Sequence, residues 1–306
     1  MHDLDIIHNF YKDINKKVSY PIDFQNFTLI NANTGIGDAL SLYIIDSPIK
    51  DNNIKVIVQH PSIVQELAQY NNYIPTINHQ HNWYSSIISV LDIQLYSNFG
   101  GHFLQKNQQF LGLDTDIIPR PKLVSSAQIE SNKVVMTFDK GIVHQQHIHP
   151  RARIIYDESK QIIQTFINNH KHQYRFVEVG KYSLGLDNVE NKTNIGIRGT
   201  ADEIASCEYF FGNHNGLMHI AAGLEKKSII IVNFPSAKDI ILPCLKKVNI
   251  PDIDWLYPQN THLHQDNDGL LVKKLTYENI QKAFNGEIYP FFQNNYIFNT
   301  FQNLMS

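Results

Sequence analysis

A chain of 306 residues is long enough for two domains of ordinary size, and 42% hydrophobic with 11% aromatic residues excludes a disordered chain. A net charge of −3 with no block of Lys or Arg argues against nucleic acid as a partner. The two cysteines, Cys207 and Cys244, stand in apolar surroundings and read as reduced, buried thiols of a cytoplasmic protein. No basic region followed by an apolar run reads as a leader, and no apolar run approaches the ~20 residues that span a bilayer; contact with a membrane surface stays open.

Residues 1–20 place Leu4, Ile7, Phe10, Tyr11 and Ile14 at helical spacing, as in an amphipathic helix. Residues 27–33 read as a strand. Thr34-Gly35-Ile36-Gly37-Asp38-Ala39-Leu40 then gives a glycine-containing turn and a helix to about residue 49. Strand, turn and helix open a doubly wound sheet, but the glycines do not form G-x-G-x-x-G, so no NAD site is inferred. Residues 54–58 read as a second strand, 63–70 as a second helix, and 85–91 as a further helix. His79, His81 and His102 are scattered without metal-ligand spacing. Residues 114–132, with Pro119-Arg120-Pro121 and little periodicity, read as a linker.

The second half repeats the alternation. Strands are expected at 133–138, 174–179, 194–198, 209–211 and 228–232, and helices at 157–169, after Thr200, after Asn215 and at 277–284. Thr200-Ala201-Asp202-Glu203 has the form of a capping box. Parallel strands with right-handed crossovers follow from this order. Residues 233–272 show few periodic runs, long for a loop, and read as lining a site. The aromatic tail over 289–301 reads as returning to the first domain.

The chain is organised around Gly212-Asn213-His214-Asn215-Gly216-Leu217-Met218-His219-Ile220-Ala221-Ala222-Gly223-Leu224. Asn215 can cap a helix, Gly216 lets a ligand approach the backbone, and Gly223 reads as the helix stop. The positive end of such a helix suits a phosphate, with Gly216 and Leu217 offering backbone N–H groups. His219, one turn on, either faces the same ligand or is a core histidine. Asp38 sits in the first turn after a strand, at the sheet edge where ligands bind, and is either catalytic or stabilised only by the helix dipole. Of five arginines, Arg151 and Arg153 follow a turn in the second half, and their planar forks suit phosphate oxygens; both also fit a plain surface. His144, His147 and His149 lie close together, but a closed metal site wants four ligands, so no metal is assigned.

Residues 212–224 resemble the donor-site signature of the ADP-heptose:lipopolysaccharide heptosyltransferases, the family 9 glycosyltransferases. Gly216, His219 and Ala221-Ala222 match it, Asn215 stands at its hydroxyl position, and His214 at its acidic position. Gly37-Asp38-Ala39-Leu40 resembles the family's turn carrying the general base. The resemblance implies a GT-B architecture of two Rossmann-like α/β domains facing a cleft, although pattern alone also permits other two-domain α/β proteins. It implies an acceptor-binding domain over 1–120, a nucleotide-sugar-binding domain over 121–290, and a tail over 291–306.

The same resemblance implies an inverting, metal-independent glycosyltransferase without a cofactor. Asp38 would be the base, with Gly35 and Gly37 shaping the acceptor-side turn. Arg151, Arg153, Asn215, Gly216, Leu217 and His219 would hold an ADP-sugar or related donor. The acceptor would be lipopolysaccharide core or a similar glycan at the inner face of the cytoplasmic membrane. A sugar-nucleotide epimerase and a non-catalytic nucleotide- or glycan-binding protein are the alternatives. Product analysis without acceptor separates the first, and indifference to loss of Asp38 the second.

Overall fold

The structure is a computed structural model. It describes residues 28–31, 36–40, 55–58, 66–67, 87–89, 120–121, 123–138, 154–233, 257, 259–266 and 273–288. The chain divides into two compact units, Met1–Pro119 and Arg120–Ser306. The expected helix over 1–20 and the tail over 289–301 lie outside the described residues. Among the described residues no helix is long and apolar enough to cross a membrane.

In the first unit, β1 (Thr28–Asn31) is followed by α1 (Ile36–Leu40), then by β2 (Lys55–Val58) and β3 (Ile87–Ser89). The three strands are parallel, in the order β2-β1-β3, with Thr28 opposite both Lys55 and Ile87. Glu66 and Leu67 are helical, within the second helix expected from the sequence. The helix expected over 85–91 is instead β3. Its Ile-Ile-Ser run favours the pleated conformation once a neighbouring strand offers a partner.

The second unit holds a seven-stranded, all-parallel sheet in the order β10-β9-β8-β7-β4-β5-β6. Its strands are β4 (Lys133–Thr137), β5 (Arg175–Gly180), β6 (Glu190–Thr193), β7 (Tyr209–Asn213), β8 (Lys227–Val232), β9 (Thr261–His264) and β10 (Lys273–Lys274). Helices α2 (Asp157–His170), α3 (Gly196–Ser206), α4 (Gly216–Gly223) and α5 (Tyr277–Phe284) alternate with them. The chain runs outward from β4 through β5 to β6. It then returns to the other side of β4 and runs outward again through β7, β8 and β9. The order therefore reverses between β4 and β7, the switch point of a doubly wound sheet.

Side-chain alternation along these strands makes two cores. Val134, Met136, Phe138, Phe176, Phe211, Ile229, Ile231 and Leu263 join α2 and α5 in one buried cluster. Phe166 of α2 stacks on Phe284 of α5 at 4.9 Å. Val135, Phe210 and Ile230, also fully buried, fall on the alternate face, where α3 packs on β4 and β5, and α4 on β7 and β8.

Several boundaries differ from expectation for local reasons. The strand expected over 194–198 lies earlier, as β6, because Asn194 and Gly196 take positive φ of 62° and 78° and turn the chain into α3. Thr200 is therefore inside α3 and is buried rather than capping. Glu203 instead lies 2.8 Å from the buried Lys133 Nζ and 2.6 Å from Lys192 Nζ. Burial works to raise the Glu203 carboxyl, but these two ammonium groups outweigh it and hold it below its usual range. Gly223 is the last residue of α4, yet the left-handed residue is Glu225, at φ 59°. Gly223 is needed for closeness: a Cβ there would lie 2.8 Å from Leu123 Cδ1 and 3.0 Å from the Pro121 carbonyl oxygen. The middle of the expected linker thus packs on α4, and Arg120 pairs with Glu225.

Candidate functional site

All seven strands are parallel, so their carboxyl ends share one edge, and the switch point lies where β4 and β7 end side by side. Thr137 pairs with Gly212 there. Gly212 permits this approach, because a Cβ on it would lie 2.5 Å from the Thr137 carbonyl oxygen. The chain then turns through His214 and Asn215 into α4.

Asn215 caps α4 as its sequence position predicts. Its backbone is extended and its Oδ1 accepts from Leu217 N–H at 2.8 Å. Its Nδ2 donates to Asn213 Oδ1 at 2.7 Å and Thr137 Oγ1 at 3.3 Å. This chain of polar groups crosses the switch point, and Thr137, Asn213 and Asn215 are all buried. Met218 N–H donates to the Asn215 carbonyl. Gly216 N–H is then the first-turn donor that the cap does not use, and Gly216 is the one residue between Phe210 and Gly223 that is not buried.

Electrostatics separate α4 from α2, whose start is bonded to the residues that follow β8 and β9. α2 carries Asp157 and Glu158 in its first turn, whereas the first turn of α4 has no acidic residue. An anion at this edge is favoured at α4 and repelled at α2. Among the described residues no group of three or more His, Cys, Asp or Glu is arranged to hold a metal ion.

Buried histidines line the neighbouring strand ends. His219 is buried on the second turn of α4, with Nδ1 2.7 Å from Tyr257 Oη and the two rings edge to face at 5.4 Å. Burial holds the Tyr257 phenol well above its usual range, so the hydroxyl stays protonated. β9 carries His262 and His264 on alternate positions about Leu263, all of them buried. Burial, with His214 nearby adding to it, pulls the His262 imidazole down to about 3. Burial likewise pushes the free Cys207 thiol up to about 12, which makes it inert.

A clasp lies at the ends of β8 and β9. Gln265 Oε1 accepts from Tyr156 N–H at 2.9 Å, and Gln265 Nε2 donates to the Ile154 carbonyl at 2.7 Å. Asn233 Nδ2 donates to Tyr156 Oη at 2.8 Å.

The sequence-predicted residues divide accordingly. Asn215, Gly216, Leu217 and His219 come together on α4. Gly37 and Asp38 lie on α1, Gly37 buried, with the Asp38 side chain outside the described residues. Gly35, Arg151, Arg153, the histidines at 144, 147 and 149, and Cys244 also lie outside them. Thr137, Asn213, Asn233, Tyr257, His262 and Gln265 were not singled out. Asn233, Tyr257, His262 and Gln265 do fall in the stretch 233–272 that reads as lining a site, but Thr261-His262-Leu263-His264, with one apolar residue, carries no strand pattern of its own. A separate cleft of about 460 Å³ lies at the opposite, amino edge, lined by Lys171, His172, Arg175 and Glu190 among others. Its position at the amino ends of β4 and β5 is not where doubly wound sheets hold ligands.

No family model matches the chain, and no curated relative matches it. Among solved structures the chain is similar to the family 9 glycosyltransferase from Veillonella parvula, at 10% identity and a TM-score of 0.53 over 86% of this chain and 97% of that one. It is similar to E. coli heptosyltransferase WaaC with ADP, at 10% identity and a TM-score of 0.52 over 86% and 99%. The iron-containing heptosyltransferase TibC aligns at 16% identity and a TM-score of 0.49, over 68% of this chain and 58% of TibC, under two thirds of that protein. At these identities the likeness is one of fold. The structural neighbours are heptosyltransferases, the family whose donor-site signature residues 212–224 resemble.

Proposed function

We propose that this chain is an inverting glycosyltransferase that moves a sugar, heptose or a related one, from a nucleoside-diphosphate sugar to a glycan acceptor such as lipopolysaccharide core. One observation carries the reading: an Asn-capped helix without first-turn acids starts at the switch point of a doubly wound sheet. The fold shared with heptosyltransferases and the matched signature residues support it.

In this proposal the diphosphate lies against Gly216 N–H and the positive end of α4, with Leu217 beside it. Arg151 and Arg153 add charge-assisted hydrogen bonds to the phosphate oxygens. The base is Asp38, on α1 of the first unit, next to the acceptor-side turn of Gly35 and Gly37. The Asp38 carboxylate takes the proton from an acceptor hydroxyl as that oxygen bonds to the anomeric carbon. The bond from that carbon to the diphosphate breaks, configuration inverts, and the nucleoside diphosphate leaves with its charge held at α4. The reaction needs no metal, and the acceptor is met at the inner face of the cytoplasmic membrane.

The test combines a nucleotide-sugar panel with one variant. A productive donor–acceptor pair is expected to give transferred product, and Asp38→Asn to reduce turnover by at least ~10²-fold, the low end of a general base's contribution. Undiminished turnover in Asp38→Asn removes that residue from the mechanism. A non-catalytic nucleotide-binding protein is the second reading. It is favoured by His214, a buried imidazole beside His262, at the signature's acidic position. Nucleotide binding without transfer to any acceptor would select it.

A further inference from the structure

We infer that Gln265, with Asn233 and Tyr156, is a positioning residue of the donor site, fixing the start of α2 to the carboxyl edge beside α4. The inference rests on the donor-site reading above. Gln265 is only 6% exposed, and both ends of its amide are used on backbone more than a hundred residues away in sequence: Oε1 by Tyr156 N–H, Nε2 by the Ile154 carbonyl. Gln265 is itself tied to the sheet, since its N–H donates to the Val232 carbonyl. Asn233, also 6% exposed, adds the bond to Tyr156 Oη from the end of β8.

Tyr156 is the N-cap residue of α2, yet no side chain caps that helix. The order that a capping side chain would supply locally comes here from two strands of the opposite half of the sheet. The ends of β7 and β9 are two strand spacings apart, ~10 Å, which is the reach of a diphosphate and its attached sugar. The clasp therefore holds Ile154 and Tyr156 across the rim from Gly216. It fixes how closely Ile154 and Tyr156 approach a ligand at α4. A buried amide with both ends satisfied is costly to disturb, because each lost partner leaves a buried group unpaired.

The experiment titrates ADP into the full chain by calorimetry, comparing wild type with Gln265→Ala, Gln265→Glu and Tyr156→Phe. Gln265→Ala is expected to weaken ADP about tenfold, the effect of losing the bonds that hold the loop end. Gln265→Glu keeps an acceptor for Tyr156 N–H but has no donor for Ile154 while ionised. It is expected to bind as weakly at about pH 8 and to recover toward wild type at about pH 4, where an ordinary carboxyl is largely protonated and supplies the missing donor. With the variant shown by circular dichroism to be folded at both pH values, that recovery reports on binding and not on folding. Tyr156→Phe removes only the hydroxyl and keeps the backbone bonds, so it serves if the Gln265 variants do not fold; about fivefold weaker ADP is expected. Variants that bind ADP as wild type does, whatever their melting temperatures, overturn the inference alone. Absence of ADP binding by wild type overturns the donor-site reading and this inference with it.

Discussion

Asn215 Nδ2 lies 2.7 Å from Asn213 Oδ1, and that bond decides which way the Asn215 amide faces. Reversing the amide would set two oxygens against each other and remove the acceptor from Leu217 N–H, the bond that caps α4. Cap and strand end are therefore one unit. Asn215→Ala is expected to lose ~1–2 kcal/mol in denaturant unfolding, the upper range for an N-cap. Asn215→Asp can still cap, but it puts a carboxylate oxygen against Asn213 Oδ1 and a negative charge at the proposed anion site. It is expected to weaken ADP by at least ~10-fold, more than Asn215→Ala does. Equal ADP affinity in the two variants would contradict this electrostatic account.

His219 and Tyr257 form a second buried pair, joining α4 to a segment far along the chain. Tyr257→Phe keeps the ring but removes the partner of a buried imidazole nitrogen. It is expected to lower stability by ~1–3 kcal/mol. A melting temperature unchanged from wild type would show that the hydroxyl contributes nothing.

These pairs mark where sequence reasoning stopped. Helix α2 and helix α5 are legible to within a residue, because apolar residues recur at helical spacing on a polar background. The Asn215 cap is legible because it is a local device. β9 is not, because Thr-His-Leu-His carries one apolar residue and is buried only through its neighbours β8 and β10. Thr200 imitates a capping box, but the positive φ of Gly196 starts α3 earlier. The partners of Asn215 and His219 are tertiary: Thr137 and Tyr257 are 78 and 38 residues away, and no spacing rule reaches them.

His262 gives stability a pH dependence. Its imidazole protonates near the ordinary 6.5 when unfolded but only near about 3 when folded, held down by burial and by His214. Between those values the unfolded state binds more protons, so stability is full above 6.5 and is lost as pH falls toward 3. At about pH 5 the loss attributable to this group is of order 2 kcal/mol. Melting temperatures from about pH 7 down to pH 5 are expected to fall more steeply for wild type than for His262→Gln. Parallel profiles would contradict the assignment.

Gly212 tests the switch point itself. A methyl group there would meet the Thr137 carbonyl oxygen at 2.5 Å, and backbone cannot move aside as a side chain can. Gly212→Ala is expected to cost ~1–3 kcal/mol, as overpacking does, and to weaken ADP because β4 and β7 part where Asn215 bridges them. Wild-type stability in Gly212→Ala would show that the strands are less closely locked.

The most direct measurement follows the backbone amide resonance of Gly216 while ADP is titrated into the chain. A saturable shift of that N–H is predicted, with the same midpoint as thermal stabilisation by ADP, which reaches ~2.7 kcal/mol at a hundred times Kd. A Gly216 resonance that stays fixed while ADP binds elsewhere, or a chain that binds no ADP, would contradict the donor site at the start of α4.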